Sequence, residues 1–455
     1  MFNKYKVIHF VGIGGIGMSG IAEVLHNLGY EVTGSDLRES ATTRRLRDLG
    51  IKIFIGHDAE NINGAHVVVI SSAVSFNNIE VIEAKNRAIP VISRAEMLAE
   101  LGRLKYGILI AGAHGKTTTT SLIATILGEG GLDPTVVIGG KLKSMGSNAK
   151  LGYGDYIVAE ADESDGSFLK LNPTIAVITN IDREHLDYFK DINALKDAFT
   201  SFINKVPFYG TSILCIENEH VRDIIPSIKR RVITYGFTPD ADIYARDIKN
   251  EGMRMIFEPV YKGKGLGLFE LPMPGIHNIL NSLAAITVAL ELQIPIYVIQ
   301  SALRNFSGIQ RRFEFKGESK GIRFFDDYGH HPSEIRATIN AARHCFKDNR
   351  LLVIFQPHRY TRTRDLLDEF AQSFGDADRL FLMDIYPAGE KEIDGINSSN
   401  LFRKIQEKGF KNAVYIKEKG DLIKKVISEV RQGDIILTLG AGDVYKIGEE
   451  ILNGL

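Results

Sequence analysis

Short runs of apolar residues alternate with longer stretches of helical periodicity along the whole chain. Runs that are apolar at nearly every position are typical of parallel strands covered by helices on both faces, because half-exposed strands alternate instead. The first such runs lie at residues 6–11, 30–35, 51–55, 66–71 and 90–92. This pattern predicts a doubly wound α/β domain at the N-terminus, over residues 1–105, with a linker at 101–107.

The same pattern returns twice. In a central domain, residues 106–308, we predict strands at 107–113, 155–161, 174–180 and 211–217, antiparallel hairpins within 242–274 and a helix at 277–292. In a C-terminal domain, residues 309–455, we predict strands at 322–326, 351–355, 379–384, 413–416 and 434–439. The fold class is therefore α/β with three domains, of which the first and third are Rossmann-like.

Length, charge and apolar content exclude several classes of protein. A length of 455 residues fits about three domains. The 55 basic and 56 acidic residues argue against a dedicated nucleic-acid binder. No apolar run approaches the ~18 residues that span a bilayer, and the N-terminus lacks the pattern of a signal peptide. Two distant cysteines, Cys215 and Cys345, suggest reduced thiols, so we expect a cytoplasmic protein without a membrane partner.

A first glycine-rich loop follows the first strand and precedes a helix. Gly12, Gly14 and Gly17 match G-x-G-x-x-G, and Asp36 ends the second strand. Such a loop binds a diphosphate at a helix N-terminus, and the acidic residue would accept a hydrogen bond from a ribose hydroxyl. Either NAD or another nucleotide such as a UDP-sugar satisfies this geometry.

A second loop, Ala111 to Thr119, is more specific. Gly115, Lys116 and Thr117 supply backbone amides and a lysine for phosphates and a hydroxyl for Mg²⁺. The loop departs from G-x-x-x-x-G-K-[ST], since Ile110 stands at the first glycine position and Gly112 follows it. We expect replacement of Lys116 to abolish activity and leave the fold intact.

Acidic segments follow the next two predicted strands, at 160–165 and 180–187, where ligands bind in open α/β sheets. Glu160 could hold Mg²⁺, with Asp162, Glu163 and Asp165 as alternatives. His185 lies among carboxylates beside the phosphate loop.

The order of these motifs resembles the Mur ligase family, the ATP-dependent amide ligases of peptidoglycan precursor synthesis, over essentially the whole chain. The resemblance rests on residues 111–119, Glu160, residues 179–187, 275–281, 311–314 and 326–328. It implies a UDP-binding first domain, a P-loop ATPase-like central domain and a closing C-terminal domain that binds the amino acid. Residues 12–20 and 355–363 imply more narrowly that L-alanine is joined to UDP-N-acetylmuramate.

The resemblance also implies roles for individual residues. Lys116, His185 and Arg312 would be catalytic, and Thr117, Glu160 and His185 would bind Mg²⁺. The ATP-binding set would be Gly112, His114, Gly115, Lys116, Thr117, Thr118, Asn278, Arg312, Asp327 and Tyr328. The substrate-binding set would be Gly14, Gly15, Ile16, Gly17, Asp36, His358 and Arg362.

Three alternatives remain open from the sequence. The first glycine loop alone would suit an NAD-dependent dehydrogenase, which leaves Lys116 and Glu160 unexplained. A non-catalytic nucleotide-binding regulator leaves the paired loops unexplained. A related ligase that adds a peptide or another amino acid is the most serious rival. For the amino-acid carboxylate, Arg359 and Arg364 are alternatives to Arg362.

Overall fold

The structure is a computed structural model that describes residues 6–71, 73–142, 147–182 and 188–455. The chain divides into two compact units. The first comprises Met1–Asp247, Phe257–Phe269 and Leu280–Ser307, and the second Ile248–Ile256, Glu270–Ile279 and Gly308–Leu455. Within the described residues, no helix combines the length and apolar character needed to cross a membrane.

The N-terminal sheet is parallel, with strand order β3-β2-β1-β4-β5. Its strands are β1 (Val7–Val11), β2 (Glu31–Asp36), β3 (Lys52–Ile55), β4 (Val67–Ile70) and β5 (Val91–Ser93). Its helices are α1 (Ile16–Asn27), α2 (Ala41–Asp48), α3 (Ile79–Asn86) and α4 (Arg94–Gly102). From β1 the chain continues to β2 and β3 on one side of β1 and then crosses to β4 and β5 on the other side. The crevice where the strand order reverses therefore lies beside the first glycine loop.

The central sheet has strand order β15-β14-β13-β12-β11-β10-β6-β9-β7-β8, with β16 paired to β14. Its strands are β6 (Tyr106–Ala111), β7 (Thr135–Leu142), β8 (Ser147–Lys150), β9 (Tyr156–Glu160), β10 (Ile175–Ile178), β11 (Thr211–Cys215), β12 (Val232–Gly236), β13 (Ile243–Glu251), β14 (Arg254–Tyr261), β15 (Lys264–Gly265) and β16 (Phe269–Leu271). Its helices are α5 (Lys116–Glu129), α6 (Ile192–Ile203), α7 (Glu219–Ile224), α8 (Ile276–Glu291) and α9 (Ile296–Arg304). The parallel trio β9, β6 and β10 brings the ends of three strands together around the second glycine loop.

The C-terminal sheet has strand order β17-β18-β22-β19-β20-β21, and only the edge strand β17 is antiparallel. Its strands are β17 (Glu314–Ser319), β18 (Ile322–Asp327), β19 (Leu351–Phe355), β20 (Arg379–Leu382), β21 (Ala413–Tyr415) and β22 (Ile435–Leu439). Its helices are α10 (Pro332–Cys345), α11 (Tyr360–Asp365), α12 (Leu367–Ala371), α13 (Ser398–Glu407), α14 (Lys419–Glu429) and α15 (Val444–Gly454). Residues 356–364 therefore follow the carboxyl end of a central, fully buried strand.

The predicted three-domain α/β class is confirmed, and each predicted strand is present with ends shifted by a few residues. The predicted linker at 101–107 is wrong in extent, because α4 continues to Gly102 and β6 begins at Tyr106. The predicted domain boundaries after residues 105 and 308 fall between the three sheets and remain predictions.

Candidate active site

The second glycine loop connects β6 to α5 and depends on two glycines. Gly112 and Gly115 have φ of +133° and +82°, which side chains other than glycine rarely adopt. A Cβ on Gly112 would clash with Thr179 Oγ1, and one on Gly115 would lie 2.6 Å from Asn281 Oδ1. Both positions therefore require glycine, and no side chain covers the loop backbone there. The amides of the first turn of α5 follow the loop directly.

The end of β10 clamps the backbone of His114 within this loop. Asn180 Oδ1 accepts from the His114 amide at 2.8 Å, and Asn180 Nδ2 donates to the His114 carbonyl at 3.0 Å. Thr179 Oγ1 donates to the same carbonyl at 2.6 Å. The sequence does not predict either residue as a support of the loop, although both lie at the end of a strand beside β6.

Lys116, the first residue of α5, is folded back onto its own loop. Its Nζ donates to the Gly112 carbonyl at 2.5 Å and to both oxygens of Glu163, at 2.9 and 3.1 Å. The Lys116 side chain is 16% exposed and that of Glu163 is 2% exposed. The pair is thus a largely buried ion pair at the site predicted for phosphates. Glu163 is therefore a partner of the lysine, whereas the sequence indicates it as an alternative metal ligand.

The remaining acidic residues after β9 have different surroundings. Glu160 stands beside Ile110 of β6, and its Oε1 accepts from the Gly139 amide at 2.8 Å. Asp165 accepts from the Ser167 amide at 3.0 Å in a local turn. Thr117, in the first turn of α5, is partly exposed, and Thr118 is buried.

Asp162 lies between two cationic side chains. Arg94 Nη2 donates to Asp162 Oδ2 at 3.3 Å. Burial would raise the pKa of Asp162, but the charges of Lys116 and Arg94 and hydrogen bonds from Ser164 together hold the pKa below its usual value. The carboxylate is therefore ionised at neutral pH.

Two histidines were expected near this loop. His114 Nε2 lies 3.2 Å from Asp182 Oδ2. His185 lies outside the residues that the structure describes, so its catalytic and metal-binding roles stay predictions.

The first glycine loop is shaped by polar side chains that approach its glycines. The Gly14 amide donates to Asp36 Oδ2 at 2.8 Å, and a Cβ on Gly14 would lie 2.8 Å from the same oxygen. Gly15 is the N-cap of α1, and the next residue, Ile16, is half exposed. In this structure Asp36 holds the loop itself, and its predicted contact with a ribose remains a prediction.

A buried polar network lies beneath the first loop. The Ser35 carbonyl accepts from the amides of Gly12 and Ile13, and the Ser35 hydroxyl donates to Glu80 Oε2 at 2.6 Å. Glu80 is fully buried. Burial would raise its pKa, but hydrogen bonds from His9, Ser35 and Asn61 lower it to about 2. The network fixes the end of β2 and with it the start of the loop.

In the second unit, Asp327 and Asn278 are buried and bonded to the backbone. Asp327 accepts from the amides of Phe313 and Gly329 at 2.8 and 2.7 Å. Burial raises its pKa to about 6, although the Arg312 charge and both amides act to lower it. Asn278 Nδ2 donates to the Pro274 carbonyl at 2.7 Å. Both residues support the local backbone, and their predicted contacts with ATP stay predictions.

Arg312 and Tyr328, both predicted to bind ATP, lie together. The Arg312 guanidinium is 5.5 Å from the centre of the Tyr328 ring, and its Nη1 is 3.9 Å from Glu334 Oε1. A second guanidinium, that of Arg311, lies 5.1 Å from the same ring. Tyr328 is thus flanked by two cations.

The loop after β19 brings His358 and Arg362 into contact. Arg362 Nη1 lies 3.3 Å from His358 Nδ1. The His358 ring stacks on Tyr386, with centroids 5.7 Å apart and planes 7° apart, and lies 5.7 Å from the His330 ring. Burial, and then the charges of His330 and Arg362, lower the pKa of His358 to about 3, so it is neutral at physiological pH.

The two alternative arginines differ from Arg362. Arg364 pairs with its neighbour Asp365 at 2.6 Å, and its side chain is half exposed. Arg359 has φ of +72° and occupies the N-cap position of α11 without a side-chain capping bond, and its amide donates to the Tyr386 carbonyl at 2.9 Å. Of the three, Arg362 is the one paired with His358.

Comparison with known proteins accounts for all three sheets. The Mur ligase family catalytic domain matches residues 7–106, the Mur ligase middle domain matches 110–289, and the Mur ligase glutamate ligase domain matches 311–442. The chain belongs to the Mur ligase family.

Relatives within the family match over their full length. A UDP-N-acetylmuramate–L-alanine ligase from Geotalea uraniireducens is 57% identical over 455 residues, which cover 100% of this chain and 99% of that protein. One from Desulfatibacillum aliphaticivorans is 56% identical over 452 residues, which cover 99% of each.

Two solved structures extend the comparison. A UDP-N-acetylmuramate–alanine ligase from Thermotoga maritima has a TM-score of 0.84 and 29% identity, with 98% of each chain covered. A murein peptide ligase from Psychrobacter arcticus has a TM-score of 0.72 and 25% identity, also with 98% of each chain covered. The predicted membership of the Mur ligase family is confirmed, whereas the roles of individual residues remain predictions.

Proposed function

We propose that this protein is an ATP-dependent ligase that joins L-alanine to the lactyl carboxylate of UDP-N-acetylmuramate in peptidoglycan precursor synthesis. The observation that carries the proposal is the 57% identity, over all 455 residues, to a relative named for this reaction. The alternative function, a ligase that adds a peptide, has weaker support, because the murein peptide ligase is only 25% identical to this chain. The two free cysteines fit a reducing cytoplasm.

A carboxylate and an amine do not condense at a useful rate, because oxide is a poor leaving group. In the proposed reaction the lactyl carboxylate attacks the γ-phosphorus of ATP, ADP leaves, and an acyl phosphate forms. The amine of L-alanine then attacks the acyl carbon and phosphate leaves. The protein aligns the groups and neutralises charge. Lys116 is the cation that neutralises the charge of the phosphates. It follows a loop whose glycines leave the backbone amides uncovered.

The residues beside this loop suit Mg²⁺. Thr117 and Glu160 both offer oxygen, which Mg²⁺ prefers. The Gly139 amide donates to Glu160 Oε1 at 2.8 Å. A hydrogen bond of this kind orients a carboxylate that binds a metal ion. Bound Mg²⁺ would neutralise charge on the phosphates of ATP. A second Mg²⁺ would be bound at a site that includes His185.

The third domain offers a place for the amino acid. A guanidinium fork binds a carboxylate in two parallel hydrogen bonds and fixes its direction. Arg362 provides this fork beside the neutral His358 ring. We therefore assign the carboxylate of L-alanine to Arg362, with His358 next to its side chain.

Phosphate release by the purified protein, with ATP and UDP-N-acetylmuramate, tests this function. We expect release to require an amino acid and to be fastest with L-alanine, with slower reaction of L-serine and glycine, since one methylene contributes only about 1 to 3 kcal/mol. A peptide that begins with L-alanine should be a poor substrate. Preference for that peptide would make the protein a peptide ligase, and tight binding of NAD without binding of the UDP-sugar would refute both.

A further inference from the structure

Tyr386 lies in the segment that follows β20, and its backbone is bonded to the segment that carries His358. The Tyr386 amide donates to the Pro357 carbonyl at 2.8 Å, and the Arg359 amide donates to the Tyr386 carbonyl at 2.9 Å. These bonds form a parallel bridge between His358 and Tyr386, beyond the ends of β19 and β20, which are themselves parallel. Residues paired in this way project their side chains to the same side, so the two rings are placed against each other.

The stacking of the two rings restricts the orientation of His358. Their planes are 7° apart and their centroids 5.7 Å apart, which is the offset geometry that aromatic pairs prefer. Rotation of the His358 ring would lose this contact and would move Nδ1 from its position 3.3 Å from Arg362 Nη1. The Tyr386 ring therefore stabilises the orientation in which His358 contacts the arginine assigned to the amino-acid carboxylate.

A glycine makes room for the Tyr386 ring in the loop after β22. The φ of Gly442 lies outside the left-handed region, so its backbone conformation is open to other residues. A Cβ at this position would lie 2.8 Å from Tyr386 Cγ and would clash with Gln356 Oε1. The need for glycine here is therefore steric, and the Tyr386 ring lies directly against the backbone of the loop.

A buried ion pair holds this loop in place. Arg311 Nη1 and Nη2 donate to the carbonyls of Gly442 and Gly440, at 3.1 and 2.6 Å. Arg311 Nε donates to Asp326 Oδ2 at 2.9 Å, and the Asp326 side chain is 1% exposed. Because Arg311 fixes this backbone, the Tyr386 ring cannot move into the loop, and it resists displacement of the His358 ring.

We infer that Tyr386 is a positioning residue that limits the size of the amino acid which the ligase accepts, because its ring keeps the His358 ring in place. This inference rests on the proposed function and deepens it, since His358 is assigned there to the space beside the side chain of L-alanine. A larger side chain would have to displace His358, and that displacement would break the stacking on Tyr386. Without the Tyr386 ring, His358 would be free to move and the larger side chain would fit.

The test measures phosphate release by full-length Tyr386→Ala, Tyr386→Phe and wild-type proteins, with L-alanine, L-2-aminobutyrate or L-valine as the amino acid. For wild type we expect kcat/KM to be at least about tenfold higher for L-alanine than for L-2-aminobutyrate, which has one more methylene. Tyr386→Ala should reduce this ratio at least about fivefold and raise the KM for L-alanine, while the KM for ATP stays within about twofold of wild type. Tyr386→Phe keeps the stacked ring and should keep the wild-type ratio.

The matched control is Tyr297→Ala. Tyr297 belongs to α9 in the first unit and is 72% exposed. Its replacement also removes a tyrosine ring and should keep the wild-type ratio. Tyr386 is itself 36% exposed, so its replacement leaves no large buried cavity. Melting temperatures are measured for all variants, so that rates are compared among folded proteins.

A lower ratio in Tyr386→Ala with an unchanged ratio in Tyr386→Phe supports the inference. An unchanged ratio in Tyr386→Ala overturns it, and so does an equal fractional loss of kcat/KM for all three amino acids, which a merely structural role would produce. An equal fall of the ratio in Tyr386→Phe also overturns it, because the hydroxyl rather than the stacked ring would then be responsible. If the wild-type protein releases no phosphate with L-alanine, the proposed function itself fails, before any variant is compared.

Discussion

Replacement of Lys116 by methionine should affect both activity and stability, because the lysine is also the partner of a buried carboxylate. The sequence alone predicts loss of activity with the fold intact. In the structure, Lys116 Nζ lies 2.9 Å from Glu163 Oε1, and Glu163 is 1% exposed. Methionine keeps most of the side-chain volume but removes the charge that Glu163 faces.

The size of the effect follows from this burial. Removal of one partner of a fully buried ion pair costs about 3 to 5 kcal/mol. Lys116 is 16% exposed, so water reaches part of the pair. We expect a loss of about 2 to 4 kcal/mol in the free energy of unfolding of the first unit, or on the order of 5 to 10 °C in its melting temperature. The rate of ligation should fall at least about 100-fold, since a charge that stabilises the transition state is gone.

Thermal melting and phosphate release separate the two effects in three variants. Lys116→Met should lose both stability and activity. The double variant Lys116→Met with Glu163→Gln should recover most of the stability, because the buried charge is gone, but none of the activity. The control Lys170→Met removes an exposed pair with Glu96, 3.1 Å apart, and should change stability by less than about 1 kcal/mol.

Two results would contradict these roles of Lys116. If Lys116→Met melts at the wild-type temperature, the ion pair does not stabilise the fold. If the double variant is as active as wild type, Lys116 has no part in phosphoryl transfer and its only role is to balance Glu163.

Three further predictions concern other parts of the molecule. The pKa of Glu80 falls from 4.5 to about 2 on folding, so its stabilisation is present above pH 4.5 and is lost as the pH falls towards 2. Between pH 5 and 2.5, urea unfolding of Glu80→Gln should show about 2 to 3 kcal/mol less pH-dependent loss than wild type, and an equal loss would contradict the assignment. Arg362→Lys should raise the KM for L-alanine about tenfold or more and leave that for ATP nearly unchanged; the reverse pattern would place Arg362 in the nucleotide site. A chelator should abolish activity and Mg²⁺ or Mn²⁺ restore it, and Glu160→Gln should need about tenfold more Mg²⁺ whereas Asp165→Asn should not; an unchanged requirement in Glu160→Gln would move the metal ligand elsewhere.

The location of both glycine loops could be predicted from the sequence because each motif is local. A strand, a turn and a helix within about 20 residues carry the whole signal. The same locality explains why β19, a continuous strand beside its motif, was predicted to the residue. Strands β7 and β12 were not predicted, because strand formation depends on the neighbouring strands of the sheet more than on a strand's own residues.

The supports of the site could not be predicted, because they depend on which strands are adjacent. Lys116 and Glu163 are 47 residues apart and meet because β6 pairs with β9. Asn180 reaches His114 because β10 pairs with β6 on the other side. Arg94 lies against Gly17 because α4 packs beside α1. A single sequence does not encode these adjacencies in any local pattern.

An isotope experiment tests most directly the central claim that the lactyl carboxylate is activated by phosphorylation. UDP-N-acetylmuramate labelled with ¹⁸O in that carboxylate is incubated with the purified protein, ATP and L-alanine, and the products are analysed by mass spectrometry. We expect ADP, the L-alanyl amide of the UDP-sugar, and one ¹⁸O atom in each phosphate released. AMP that carries the label would contradict it, as would phosphate without ¹⁸O.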